Sequence, residues 1–269
     1  MLAIKNNVMS QNAARHLGAS YDGLAKSVER LASGLRINSA KDDAAGLAVR
    51  ALMRADIAVL QQGARNAQDA ISMLQTMEGA MATIDDVLIR MRELAEQAAT
   101  GSYSQAQRVI MNAEFQEMAN EIDRIATSTD FNGIGMLNSA TGSTTIHIGS
   151  TTTLSIDMVS MTKASLGLGS IDILGLDSAA SALEAIATAI SDKNDARATF
   201  GYKMNRIENS YAVLNIQAEN LSAAESRISD VDVATEMAKM TRNQVLAQAG
   251  VSMLVQANAI PQMALQLLR

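Results

Sequence analysis

The sequence predicts a mainly α fold: a long antiparallel helical bundle or coiled coil, with a small β-hairpin region and with the N- and C-terminal helices paired. Three observations predict it. The 269 residues contain a single Pro, so almost nothing interrupts helix propagation. Apolar residues near both ends recur at alternating spacings of four and three, as a packed helical seam requires. Between them, residues 127–176 become rich in Thr, Ser and Gly, and helical periodicity gives way to alternation.

The first stripe runs through Leu17, Tyr21, Leu24, Val28, Leu31 and Leu35. The segment Asn38-Ser39-Ala40-Lys41-Asp42-Asp43 interrupts it, and Ser39 with Asp42 three residues on is placed to cap a new helix. The next stripe, Leu60, Ala64, Ala67, Ile71, Leu74, Met81, Leu88 and Ala95, carries one helix from about residue 42 to 100, roughly 85 Å at 1.5 Å per residue. Gly101 ends it. Ser102 with Gln105 then forms a capping box for a third helix through Ile110, Glu114, Met118, Ile122 and Ile125, and the short turn makes the two helices antiparallel.

Alternation at Ile146 and Ile148, then at Leu154, Ile156 and Met158, predicts a hairpin within about residues 139–176. Asp177 or Ser178 caps a helix containing Leu183, Ile186 and Ile190, which runs on into the stripe Phe200, Met204, Ile207, Tyr211, Leu214, Ala218 and Leu221. Ser229 and Asp232 cap a last helix. That helix carries Val233, Met237, Met240, Val245, Leu246, Val251, Met253, Leu254 and Leu265 on several faces, too many for a one-sided stripe. Its burial calls for other copies of the chain, so folding of the ends is expected to be coupled to assembly. The caps divide the chain into a terminal coiled-coil domain, residues 1–41 with 230–269, and a domain of long helices, residues 42–229, bearing the hairpin.

Composition narrows the function. A formal charge of -6 and a pI near 5.0 argue against attraction to nucleic acid or to an anionic membrane. The N-terminal residues lack the apolar core of a secretory signal, and no apolar run approaches the roughly 18 residues of a membrane span. Without Cys, neither disulfides nor thiolate metal sites form. His16 and His147 stand far apart with no His, Cys or Glu cluster beside them, so no metal is expected. Asp230 and Asp232 lack the Gly and distal Glu of a calcium loop, and the Gly-x-Gly pairs at 133–135 and 167–169 lack the rest of a phosphate-loop fingerprint. No cofactor and no catalytic site are expected, and the 17 Met read as core filler.

Several blocks resemble bacterial flagellin: residues 31–46 (LASGLRINSAKDDAAG), 66–79 (NAQDAISMLQTMEG), 88–97 (LIRMRELAEQ), 120–137 (NEIDRIATSTDFNGIGML), 219–230 (ENLSAAESRISD) and 255–268 (VQANAIPQMALQLL). They occur in family order at both ends, and only the middle departs, being too short for the outer domains that many members insert. The resemblance implies an extracellular structural subunit, not an enzyme, that polymerises into a hollow helical filament for swimming. Its terminal helices would line an inner tube and its longer helices an outer rod. The polymerisation seam would then be Leu17, Tyr21, Leu24, Val28, Leu31 and Leu35 with Val233, Met237, Met240, Val251, Leu254 and Leu265.

The same resemblance implies export by the flagellar type III apparatus, an export chaperone, a filament cap and hook-junction proteins as partners. It also implies recognition by the animal flagellin-sensing Toll-like receptor at Arg90, Leu94 and Glu114. Arg90, Leu94 and Gln97 follow helical spacing, and reflection about the turn brings Glu114 opposite Arg90. Read without the family, Arg90 and Glu114 are an exposed ion pair worth about 0–1 kcal/mol. Ser and Thr within 139–162 are candidates for O-glycosylation. Two rivals stand beside this reading. One is the hook-filament junction protein, which shares the terminal helices but not the 88–97 and C-terminal blocks; the other is a secreted coiled-coil binding module, which would stop at a low-order oligomer.

Overall fold

The computed structural model describes residues 6–139, 141–149 and 152–267. Among them the order is α1 (Val8–Ser33), α2 (Ala44–Ala98), α3 (Gln105–Ser128), β1 (Asp130–Phe131), β2 (Ile134–Gly135), β3 (Ser143–His147), β4 (Thr153–Asp157), α4 (Leu176–Ser229) and α5 (Val233–Leu267). Packing groups them into two compact units, Met1–Ala55 with Asn220–Arg269, and Asp56–Glu219. These divisions fall inside α2 and α4, away from residues 41/42 and 229/230, because a cap marks where helical hydrogen bonding restarts and not where packing partners change.

In the first unit α1 packs on α5. Asn7 caps α1 by accepting from the Ser10 N–H at 3.1 Å, and Gly34, at φ 73°, ends it in the left-handed conformation that glycine adopts without a Cβ penalty. Leu35 therefore does not continue the helical stripe. It lies past the helix end, bridged to Asp230, where the Arg36 N–H donates to the Ser229 carbonyl at 2.6 Å and the Val231 N–H to the Gly34 carbonyl at 3.0 Å. The cap of α2 also lies later than the spacing predicts. Ser39 and Asp42 bond to each other within a turn, and it is Asp43 that accepts from the Gly46 N–H at 2.9 Å. Asp232 opens α5 as expected, accepting from the Ala234 N–H at 3.1 Å, whereas Ser229 ends α4 and donates to Asp230.

The second unit holds the main core. On α2 the buried positions Ala67, Ala70, Leu74, Met77, Met81, Ile84, Leu88, Met91, Ala95 and Ala98 alternate by three and four without a break. Phe115, Ala119 and Ile122 of α3 and Ala182, Ile186, Ala189, Phe200 and Ile207 of α4 belong to the same cluster. One position in the α4 stripe is charged: Lys193, 1% exposed, pairs with Asp85 of α2. The capping box of α3 is Ser104 with Gln107, not Ser102 with Gln105. The motif Ser-x-x-Gln occurs at both registers, and the later one lets Arg108 reach back to the Ala98 carbonyl at 3.0 Å and the Thr100 carbonyl at 3.2 Å, closing the end of α2.

The irregular middle is smaller in strand and larger in loop than the alternation predicts. β3 and β4 pair antiparallel over five residues each and bury Leu154 and Ile156, while residues 158–175 form no strand. That stretch is anchored by α3 instead, whose Asp123 accepts from the Lys163 N–H at 2.8 Å, Asn112 from the Ile173 N–H at 3.0 Å, and Gln116 donates to the Ile171 carbonyl at 2.7 Å. A second hairpin, β1–β2, turns at Asn132 and Gly133, both at positive φ (53° and 78°), as a two-residue turn requires.

Candidate functional site

The paired terminal helices of the first unit present a surface in place of a catalytic cleft. Two glycines let them approach: a Cβ on Gly23 would meet Asn243 Nδ2 at 2.7 Å, and one on Gly250 would meet Leu17 Cδ1 at 3.2 Å. Between them the Ser27 hydroxyl donates to Glu236 Oε1 at 2.7 Å. Lys239 lies 3.3 Å and Arg30 3.8 Å from the other carboxylate oxygen. Burial pushes the Glu236 carboxyl up, but the Ser27 hydrogen bond together with Lys239 and Arg30 outweighs that and holds it below its ordinary value. Near the chain ends Asn7 Nδ2 donates to the Ala257 carbonyl at 2.7 Å.

What this pairing closes off is mostly small or polar: Ser27, Glu236, Ala247 and Ala257. The seam residues named from spacing are left partly or largely open. Leu17, Leu24, Leu31, Met240 and Leu254 are half-buried, while Tyr21, Val28, Val233, Met237 and Val251 are exposed. Leu265 lies on α5, but its side chain is outside the described residues. Val8, Met9, Val245, Leu246, Met253 and Val255 are exposed as well, so apolar side chains cover several sides of α5. Contiguous exposed apolar surface of this kind marks a binding face.

In the second unit Arg90 and Glu114 meet on the surface. Arg90 Nη2 and Nε donate to Glu114 Oε1 at 2.8 and 3.0 Å, and Nη1 to Glu93 Oε2 at 2.9 Å. Hydrogen bonds from Arg90 to Glu114 and then to Glu93 raise the guanidinium above its ordinary value. Leu94 does not join them on that surface. It is 2% exposed and belongs to the core. Four residues along a helix advance the direction by about 40°, enough at the edge of a buried stripe to turn an outward position inward. Gln97 is exposed and donates to the Tyr103 hydroxyl at 3.0 Å. Spacing missed Ser27, Glu236, Asp85 and Lys193, because hydrophobic periodicity does not register polar residues at inward positions.

The bacterial flagellin N-terminal helical region matches residues 4–141 and the C-terminal helical region residues 183–268. The chain is 40% identical over 272 residues to a flagellin of Halalkalibacterium halodurans and 42% identical over 286 residues to a flagellar filament 33 kDa core protein of Treponema phagedenis, covering all of each chain in both cases. Among solved structures it is similar to Bacillus cereus flagellin, with 33% identity, a TM-score of 0.51, and coverage of 60% of this chain and 94% of that one. The fold is also shared with a putative flagellar hook-associated protein from Vibrio parahaemolyticus, at 13% identity and a TM-score of 0.61 over 70% of this chain and 100% of that one. With both family regions and full-length relatives matched, the chain belongs to the bacterial flagellins, the structural subunits of the flagellar filament.

Proposed function

We propose that this subunit polymerises by burying the open faces of α1 and α5 against other copies of itself. The observation that carries the reading is α5, whose apolar residues Val233, Val245, Leu246, Val251, Met253 and Val255 remain exposed on several sides although α1 is packed against it. One neighbour covers one face, so several copies must converge on each α5. As a member of a structural family the chain is assigned no catalytic step. Its product is a hollow propeller outside the cell, reached by type III export, with a chaperone, a filament cap and hook-junction proteins as partners.

Seeded polymerisation of the full-length chain against versions lacking residues 1–35 or 235–269, followed by negative-stain microscopy, tests this. Filaments from the full-length chain alone support terminal-helix assembly. Low-order oligomers that never elongate, even on seeds, favour the coiled-coil binding module instead.

The exposed Arg90–Glu114 pair supports recognition by the animal flagellin-sensing receptor at this face, with Leu94 acting from beneath as packing support. Arg90→Ala and Glu114→Ala are expected to lower receptor signalling by soluble subunit without unfolding it. Unchanged signalling from both would remove the face from the interaction.

A further inference from the structure

Met9 of α1 and Met253 of α5 line one open groove of about 690 Å³, whose wall is mostly apolar and includes Ala13, Leu246, Ala257 and Ile260. The two residues are 66% and 64% exposed, whereas Met77, Met81 and Met91 in the core of the second unit are at 0%. Oxidation of a thioether follows its access to the oxidant, so these two sulfurs and the core sulfurs stand at opposite ends of the reactivity range.

We propose that Met9 and Met253 form an oxidant-sensitive modification site that blocks assembly when converted to sulfoxide. The inference rests on the reading that this face is buried between copies. A lone pair on Sδ attacks one oxygen of hydrogen peroxide, the S–O bond forms as the O–O bond breaks, the sulfur loses two electrons, and the second peroxide oxygen leaves as water after taking up the proton of the transferred one. Each sulfoxide oxygen is a strong acceptor on a side chain that is apolar when reduced. Although Asn12, His16, Ser20, Asn243 and Gln256 also line the groove, its wall is mainly apolar, so burying the oxygen beneath another copy carries a desolvation penalty. A dithiol-dependent reductase reverses the step, removing the oxygen as water while the dithiol closes to a disulfide. In the filament both sulfurs are covered, so the site responds to peroxide before assembly and is protected after it.

The test treats purified full-length subunit with hydrogen peroxide, maps sulfoxide by peptide mass spectrometry, and measures seeded elongation. Oxygen should appear at Met9 and Met253 before Met77, Met81 and Met91, and the critical concentration for elongation should rise about tenfold. Methionine sulfoxide reductases with dithiothreitol should restore it, and a Met9→Leu/Met253→Leu variant should elongate equally with and without peroxide. Assembled filaments given the same dose should stay unmodified at both positions. Normal elongation by subunit carrying sulfoxide at both sites overturns the inference, as does a peroxide block that persists in the double variant or that reductase treatment fails to lift. Failure of untreated wild-type subunit to elongate on seeds would instead count against the assembly reading itself.

Discussion

Ser27 and Glu236, 209 positions apart in sequence, share a buried hydrogen bond of 2.7 Å that joins α1 to α5. With Arg30 and Lys239 beside it, the carboxylate is held below its ordinary value within the contact between the two helices. It favours one register of the helix pair, in which the Glu236 carboxylate is partnered while the buried Arg30 Nε has no hydrogen-bond partner. Ser27→Ala is expected to loosen the terminal pair by about 1–3 kcal/mol, the cost of leaving a buried acceptor short of a partner. Amide hydrogen exchange should show faster opening across α1 and α5 with α3 unchanged, and unchanged protection in α1 would disprove the role.

Asp42 supplies an acid-sensitive tie in the same unit. A hydrogen bond from Lys26 at 2.6 Å, aided by the Ser39 N–H and hydroxyl, outweighs burial and lowers its carboxyl from 3.8 to about 2. A carboxyl depressed in the folded state stabilises above its ordinary value, and that contribution is lost as pH falls through the folded value. Stability of the first unit should therefore decline between about pH 4 and pH 2. Asp42→Asn should flatten that limb of the curve, measured by circular dichroism, and an unaltered limb would show that other carboxylates set it.

Lys193 and Asp85 are unequal partners, 1% and 29% exposed in their side chains. Removing the carboxylate strands a buried ammonium, whereas removing the ammonium leaves a carboxylate with access to water. Asp85→Ala should cost about 3–5 kcal/mol and Lys193→Met less than about 1.5 kcal/mol. Urea unfolding of the two variants in parallel measures this, and equal losses would contradict the asymmetry.

Two glycines of α2 should respond oppositely to alanine. A Cβ on Gly79 meets nothing within 4 Å, so Gly79→Ala should stabilise by up to about 1 kcal/mol through helix propensity. A Cβ on Gly63 would stand 2.7 Å from the Gly149 backbone nitrogen, just after β3, where no side chain can swing aside. Gly63→Ala should push the β3–β4 hairpin off α2 and lower the melting temperature, and a melting temperature above wild type would refute the close approach.

These particulars show what the sequence made legible and what it did not. The seam of α2 could be read at Ala67, Leu74, Met81, Leu88 and Ala95, because these inward positions are apolar and evenly spaced, whereas Ala70, Met77, Ile84, Met91 and Ala98 went unnamed and Ile71, named in their place, is half-buried. Asp232 could be read as a cap because a break in the pattern precedes it. Capping at Ser104 was ambiguous, since Ser102 offers the same motif two residues earlier, and only the reach of Arg108 to the end of α2 separates them. Lys193 was invisible, as a charged residue in a stripe reads as a gap until its partner Asp85 is placed. Strands as short as β1 and β2 carry no period at all, so the hairpin that turns at Asn132-Gly133 was not read from the sequence. Leu94 failed for a different reason: spacing identifies residues that share a side of a helix, but the edge of the buried stripe is set by neighbours.

An α5 that is apolar on several sides also bears on how growth begins. Two subunits meeting in solution cover one side of each other's α5 and leave the rest wet, so a pair gains little over a single molecule. The gain per added copy becomes large only once several are already arranged, and that condition exists at the end of a grown structure. With α5 buried between copies as proposed, spontaneous initiation should show a long lag and a steep concentration dependence, while a pre-existing tip should accept subunits without delay. The location of new material is thereby decided by the tip and not by the concentration of free protein.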